Sequence, residues 1–518
     1  MIFAPFMADF YKTGHAKQYP KDINYLYSNF TPRTDKYFTG LPDYDHKVVW
    51  FGLSAVCQSV LIEQWNQTFF NQNKDVVVAM YKRIMDNSLG KNMVTGEQLA
   101  ELHDLGYLPV VIKSLPEGSR VNIKVPLFTI ANTHPRFAWV TNYLETQLSC
   151  ELWQTVVNAT RAYEFRRLFE RYADETGASK EFVEWQGHNF ADRGMPTYTA
   201  AVNTGAAHLL SFHGTDTVAS IPYLEEYYGA NSDEEIIGGS VPASEHSVNI
   251  SSIMSLTKDQ YDSFEMEYGT DDKLMVGEYA FLKRMLTEVY PGGIVSYVSD
   301  SFDFWTVVTE ITQKLKYLIL HRNGKLVLRP DSGDPVKIIV GDADAPVGSP
   351  AYKGAVECLW DIFGGTTNEK GFRTLDSHIG LIYGDSINLT NANEILSGLA
   401  QKGFASDNVV FGIGSFTYTG NMVSRDTFGL AMKATYCEVD GVGYPLYKEP
   451  KTDNGMKKSA RGLLRVEYED GNFVLYENQT KTQEQSGELE IVFENGRMVN
   501  TDSFRVIRNR LLSRDSSR

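Results

Sequence analysis

Through the middle of the chain, short apolar runs alternate with longer stretches whose apolar residues recur at helical spacing. Four of the short runs close on polar, glycine-bearing ends: IVSYVSDS (294–301), LVLRPDSGDP (326–335), IGLIYGDS (379–386) and NVVFGIGS (408–415). Segments such as FDFWTVVTEITQKLKYL (302–318) and NLTNANEILSGLAQKG (388–403) supply the helices between them. This alternation predicts βα units with parallel strands, curled into an irregular or partial barrel whose site lies at the carboxyl ends of the strands.

The flanks carry a different pattern. In DINYLYSNF (22–30), Ile23, Tyr25 and Tyr27 alternate as in a strand, and VVIKSLPEGSRVNIKVPLFTI (110–130) predicts a hairpin about its PEG turn. Helical spacing governs Pro135 to Thr176, where Leu148, Leu152, Val156 and Val157 form a stripe best assigned to core. Beyond Cys437, Asp440-Gly441, Asp470-Gly471 and Asn495-Gly496 each separate strand-like runs and predict hairpins. The expected fold class is therefore α/β: a barrel domain over 151–435, and a mixed α+β domain over 1–150 joined by 436–518 as an accessory antiparallel sheet. The closing SRDSSR (513–518) reads as a solvated tail.

Composition narrows the function classes. A chain of 518 residues with formal charge −16 opposes nonspecific binding to nucleic acid or to an anionic membrane. An anionic substrate would then need locally placed Arg and Lys. No apolar run is long enough to span a bilayer, and Asp9 and Lys12 interrupt the N-terminus before a signal-like stretch develops, so a cytoplasmic protein is expected. Cys57, Cys150, Cys358 and Cys437 lack metal-like spacing and read as reduced core residues.

The strand ends bring together Ser296, Ser299, Asp300 and Asp303; Arg329 and Asp331; Gly384 and Asp385; and Gly412, Gly414 and Ser415. Arg329 offers a planar fork for phosphate or carboxylate, the aspartates suit ribose hydroxyls or hydrated Mg2+, and the glycines let backbone N–H groups approach phosphate. An ordinary strand-to-turn junction uses many of the same residues, and a barrel hydrolase with paired carboxylates would look similar. Upstream, HNFADRG (188–194) places His188, Phe190 and Arg193 ahead of a small-residue helix, and GTDT (214–217) presents Asp216, which also suits a cap or turn. In GGSVPASEHSVNISSIMS (238–255), Ser240 and Pro242 predict a helix start with His246 in its first turns. His246 reads either as a satisfied histidine at a core edge or as one that exchanges protons or is phosphorylated, steered by Asp300.

These segments resemble the nicotinamide phosphoribosyltransferases, of the type II fold shared with nicotinate and quinolinate enzymes. The likeness runs nearly end to end: DFYKTGHAKQYP (9–20), LPEG (115–118), GTDTVAS (214–220), SVPASEHS (240–247), SYVSDSFD (296–303), LRPDSGDP (328–335), GDSIN (384–388) and SRDTFGLAMKATY (424–436). It implies transfer of phosphoribose from phosphoribosyl pyrophosphate to nicotinamide, giving nicotinamide mononucleotide and pyrophosphate in NAD salvage. Mg2+ would be held mainly by pyrophosphate and water. ATP would act as an activating cosubstrate through His246, with Glu245 beside it and Asp300 orienting it.

The same resemblance implies a homodimer with active sites at the subunit interface. Phe190 and a partner's Tyr11 would stack on the pyridine ring, Asp216 would accept the carboxamide N–H, Arg193 would contact the nicotinamide or the mononucleotide phosphate region, Ser296 would lie near the ring amide, and Ser240 and Val241 would also bind substrate. Arg329 and Asp331 would flank ring and ribose, Gly384, Asp385, Gly414 and Ser415 would hold ribose and 5′-phosphate, and Arg425 and Lys433 would be distal cations joined by Arg33 of the partner. Two departures stand out: Ser415 occupies a glycine position in GIGSFTYTGN (412–421), and HNFADRG differs at the pocket rim. Alternative functions are a nicotinate phosphoribosyltransferase and, in another class, a carboxylate-dependent barrel hydrolase.

Overall fold

A computed structural model describes residues 1–420, 423–448 and 460–512. The tail expected at 513–518, and Asn421 of the glycine-position loop, lie outside the described residues.

Six parallel strands form the central sheet, in the order Gly214–Thr215, Gly187–Asn189, Val410–Ile413, Ile379–Tyr383, Asn323–Arg329 and Gly292–Val298. All four predicted strand ends belong to it. Their apolar runs are nearly continuous because helices cover the outer face while side chains fill the inside. The sheet curls into a partial barrel, and its two edges are joined by the segment 239–244. Gly239 bridges Gly214 and Ala243 bridges Ser296, both in parallel sense. The Thr215 N–H donates to Gly239 O at 2.9 Å and the Ser296 N–H to Pro242 O at 2.8 Å. This corrects the expected helix start at Ser240: that stretch is extended, and the helix His246–Met254 begins at the histidine itself.

The accessory sheet is antiparallel and seven-stranded, ordered Val442–Pro445, Ala431–Val439, Ile23–Thr31, Phe128–Asn132, Val110–Ser114, Glu490–Glu494 and Arg497–Met498. The three predicted turns are present, with φ of 51° and 74° at Asp440-Gly441, 49° and 78° at Asp470-Gly471, and 49° and 76° at Asn495-Gly496. Positive φ at both central residues matches the right-handed twist of the flanking strands, which is why Asn/Asp-Gly pairs specify such hairpins.

The PEG hairpin forms otherwise. Val110–Ser114 pairs with Phe128–Asn132, while Arg120–Asn122 pairs with Lys47–Val49. The intervening loop is captured by Trp50, which is fully buried: the Gly118 N–H donates to Trp50 O at 2.7 Å and the Trp50 N–H to Ser119 O at 3.0 Å. Burial of that indole outweighs the local turn preference.

One helix, Glu145–Thr176, serves both layers. Leu148, Leu152, Val156 and Val157 pack in the accessory core, whereas Phe165, Leu168, Phe169 and Tyr172 pack against the barrel. It stops at Gly177, whose φ of 71° lets its N–H reach Ala173 O. The boundary expected at 150/151 thus falls within this helix, and that at 435/436 within the strand Ala431–Val439. Among the described residues no helix is long and apolar enough to cross a membrane.

Candidate active site

The strand ends converge on a chain of hydrogen bonds centred on Asp300. Its Oδ1 lies 3.0 Å from His246 Nε2, and its Oδ2 accepts the Asp331 N–H at 3.1 Å and the Ser332 hydroxyl at 2.6 Å. The Asp300 side chain is 5% exposed and that of His246 is 46% exposed, so a buried carboxylate orients an open imidazole. Asp303, three residues on, is a helix cap: its carboxylate accepts from the Trp305 and Thr306 N–H groups.

Arg329 spans two walls. It donates to Ser244 O at 3.0 Å, holding the barrel-closing segment, and its Nε lies 3.4 Å from Asp331 Oδ1. That oxygen is buried, with no hydrogen-bond partner among the described residues. Burial, ahead of the opposing Arg329 charge, pushes the Asp331 carboxyl up, and the Asp300 and Asp385 carboxylates add to the rise. Asp385 is exposed at the next strand end. Among the described residues no cluster of His, Cys, Asp and Glu forms a ready-made metal cage. The partly exposed Asp331 carboxylate, with the exposed Asp385 near it, nevertheless suits a hydrated, oxygen-seeking cation that brings most of its own ligands.

On the other side stand Phe190 and Asp216. The Phe190 N–H donates to Ile413 O at 3.0 Å, and its half-buried ring lies 4.7 Å from the His188 ring. Asp216 caps no helix, since the next one has Ala219 at its N-cap with no side-chain bond. Instead its Oδ1 accepts from Ser240 Oγ at 2.7 Å and pairs with His188 Nε2 at 2.8 Å. Burial alone would raise this carboxyl, but the His188 hydrogen bond and charge, then Ser240 and Arg329, hold it below the usual carboxylate range. Asp216 is therefore an anion at neutral pH, and among the described residues its hydrogen bonds fall on Oδ1, leaving Oδ2 to accept.

Glycine roles divide. A Cβ on Gly412 would lie 2.5 Å from the Phe190 ring, and one on Gly384 would lie 2.3 Å from Asp331 Oδ1. Those two glycines seat protein side chains. A Cβ on Gly414 would meet nothing within 4 Å, so its open face is turned to whatever the site holds. Ser415 opens the short helix Ser415–Thr419, and its hydroxyl crowds Gly194, which brings the turn bearing exposed Arg193 against the Ser415 loop. Ser296 is buried beside the barrel closure, its hydroxyl without a partner among the described residues; Val241 lies in the closing segment.

Tyr11, Arg33, Arg425 and Lys433 lie apart from these residues, together on the accessory layer. Arg33 donates from Nε to Gly429 O at 2.8 Å and from its backbone to Phe428 O at 2.8 Å. Burial and then the nearby Arg425 charge lower its pKa. Lys433 is the cross-strand partner of Asn29, with Nζ 3.5 Å from Glu145 Oε1, and the other oxygen of Glu145 takes Lys12 at 2.7 Å. Beside Lys12, Tyr11 is 61% exposed. Within the chain, Arg33 thus lies near Arg425, and Lys433 near Glu145 and Lys12. Among the described residues no hydrogen bond joins this cationic group to the strand ends.

The sequence does not single out Ser244 or Ser332, and it marks His188 by its spacing with Phe190 and Arg193 without giving it a role.

Residues 185–497 match the Nicotinate phosphoribosyltransferase (NAPRTase) family. The chain is 51% identical to a nicotinamide phosphoribosyltransferase of Acinetobacter baylyi, over 97% of this chain and 96% of that one. It is 32% identical to a nicotinamide phosphoribosyltransferase of Mycoplasma pneumoniae, over 86% and 92%. Among solved structures, human nicotinic acid phosphoribosyltransferase aligns with a TM-score of 0.57 at 15% identity, over 98% of this chain and 95% of that one. A nicotinate-nucleotide pyrophosphorylase of Pyrococcus furiosus aligns with a TM-score of 0.55 at 15% identity, over 99% and 95%. These two likenesses speak to the fold.

Proposed function

The chain belongs to the nicotinate phosphoribosyltransferase family, and within it we infer a nicotinamide phosphoribosyltransferase: it joins nicotinamide to phosphoribosyl pyrophosphate, releasing pyrophosphate. The observation that carries the choice of base is Asp216. One carboxylate oxygen is occupied by His188 and Ser240, and the other is left to accept an amide N–H. Nicotinate would bring a second anion to that oxygen with no proton to share.

As pyrophosphate departs, the ribose becomes oxocarbenium-like, so the protein's task is to align the ring nitrogen and stabilise separated charge. Phe190 offers one stacking face, set in place by Gly412. Asp331, seated against Gly384 and beside Arg329, faces the developing positive charge and the ribose hydroxyls. Gly414 and Ser415 offer backbone N–H groups to the 5′-phosphate. Asp331 and Asp385 would hold Mg2+, which would supply charge neutralisation of the leaving pyrophosphate.

The cations complete the site from a second copy. Tyr11, Arg33, Arg425 and Lys433 lie together on one layer, so a homodimer would deliver them as a group onto the partner's strand ends. Mixing a chain carrying Asp331→Ala with one carrying Arg33→Ala is expected to restore activity to roughly a quarter of wild type, since random pairing leaves one intact site in half of the dimers. Mixtures no more active than either variant alone would remove the shared site.

His246, with Nε2 on Asp300 and Nδ1 open, is the group we assign to ATP stimulation through transient phosphorylation. The experiment is direct. With phosphoribosyl pyrophosphate and Mg2+, the purified protein forms mononucleotide and pyrophosphate from nicotinamide, and ATP raises the rate. His246→Ala is expected to keep basal synthesis and lose the stimulation. Absence of product from nicotinamide would overturn the function, and equal losses of basal and stimulated rates would make the histidine structural.

A further inference from the structure

His188 occupies a seat built around it. It is the middle residue of the strand Gly187–Asn189, and its register partners on the two sides are Gly412 and Gly214. A Cβ on Gly214 would come within 2.8 Å of the imidazole Nδ1, so no larger neighbour fits there. The side chain is 11% exposed and its ring leans on Phe190, with centroids 4.7 Å apart. Its Nε2 is aimed at one atom, Asp216 Oδ1, at 2.8 Å, and the Ser240 hydroxyl reaches the same oxygen. A core histidine that merely filled space would not have to present an N–H to the rim of the pocket.

We propose that His188 is a specificity-determining positioning residue: by donating from Nε2 to Asp216 Oδ1 it fixes the carboxylate's rotation and leaves Oδ2 aimed at the ring amide. This rests on the reading of Asp216 as the amide acceptor. A carboxylate attached through a freely turning bond presents either oxygen, and each arrangement it samples outside the productive one weakens the base it is meant to hold. Two donors on a single oxygen remove that freedom, and they leave the other with lone pairs that suit an N–H and repel a carboxylate. Ser240 alone cannot substitute, because a hydroxyl rotates and equally well accepts.

Glutamine and asparagine differ in reach at this position. The amide nitrogen of Gln lies about where Nε2 does, and that of Asn lies nearer Nδ1, so His188→Gln keeps the donor and His188→Asn withdraws it. The probes are nicotinamide and 3-acetylpyridine, a methyl ketone that keeps the ring and carbonyl but has no N–H. His188→Asn is expected to raise KM for nicotinamide roughly tenfold, the factor for one hydrogen bond to a charged group, with kcat nearly unchanged. The inhibition constant of 3-acetylpyridine is expected to stay put, and His188→Gln to restore most of the nicotinamide affinity. On an Asp216→Asn background, His188→Asn is expected to add no further loss. Equal weakening of both ligands would instead make His188 a support for the Phe190 ring and overturn the proposal, as would equal behaviour of Gln and Asn or an undiminished loss without the Asp216 carboxylate. If Asp216→Asn itself leaves the two ligands' ratio unchanged, the amide-acceptor reading fails. If that ratio moves but His188→Asn does nothing, only His188 falls. Thermal midpoints measured alongside identify a variant that has not folded, and the Gln variant then carries the comparison with wild type.

Discussion

Arg329→Ala is expected to lower kcat/KM for nicotinamide by about 100-fold at neutral pH and to move the acid limb of the pH profile upward. The guanidinium touches both Ser244 O in the closing segment and the edge of Asp331. Removing one member of a partly buried charge pair costs on the order of 3 kcal/mol because the other is left unpaired, which sets the scale of the loss. Asp331 is already pushed up by burial, with Arg329 the main influence pulling it down and Asp300 and Asp385 pushing further. In the proposed reaction the ionised carboxylate is the form that would face the ribose cation. With Arg329 gone its pKa rises, so protonation begins at a higher pH and activity falls earlier as pH is lowered. Arg329→Lys keeps charge but lacks the fork, so it is expected to recover the pH profile better than the rate. A loss under threefold with an unmoved acid limb would show that Arg329 does not govern Asp331.

Gly412→Ala is expected to raise KM for nicotinamide at least tenfold while leaving the fold intact. The added methyl would lie 2.5 and 2.7 Å from two carbons of the Phe190 ring and 2.9 Å from the Gly384 backbone. The backbone of a central strand cannot retreat, so the Phe190 ring must leave the position proposed for stacking; overpacking of this kind costs about 1–3 kcal/mol. Gly414→Ala supplies the contrast. Its methyl meets no protein atom within 4 Å at a φ of −98°, which alanine adopts freely. Any rise it causes in KM for phosphoribosyl pyrophosphate reports crowding of the phosphate. Kinetics with each substrate varied separately check both variants. An unaltered nicotinamide KM in Gly412→Ala would mean that Phe190 does not set the ring's position.

Much of this arrangement was legible in the sequence for local reasons. Parallel barrel strands are buried on both faces, so they read as apolar runs, and the polar residues that follow mark the site. Asp-Gly and Asn-Gly pairs specify their hairpins without help from distant residues. What escaped depends on long-range contact. The segment 239–244 has no strand-like alternation, and it is extended only because Gly214 and Ser296 on opposite sheet edges both bond to it. Asp303 looks like another strand-end carboxylate until its own helix is seen to claim it. Arg33 and Arg425 lie far apart in the chain, yet the bonds from Arg33 to Phe428 O and Gly429 O bring their charges together. Nor could spacing reveal that His188 and Ser240 share a single oxygen of Asp216.

The ratio of kcat/KM for nicotinamide to that for nicotinate, measured with phosphoribosyl pyrophosphate and Mg2+ in the wild-type protein and in Asp216→Asn, tests the account most directly. The wild type is predicted to favour nicotinamide, and the variant, having lost the anion that rejects a carboxylate, to narrow that preference by roughly tenfold or more. A wild type that prefers nicotinate, or a ratio untouched by the substitution, would contradict it.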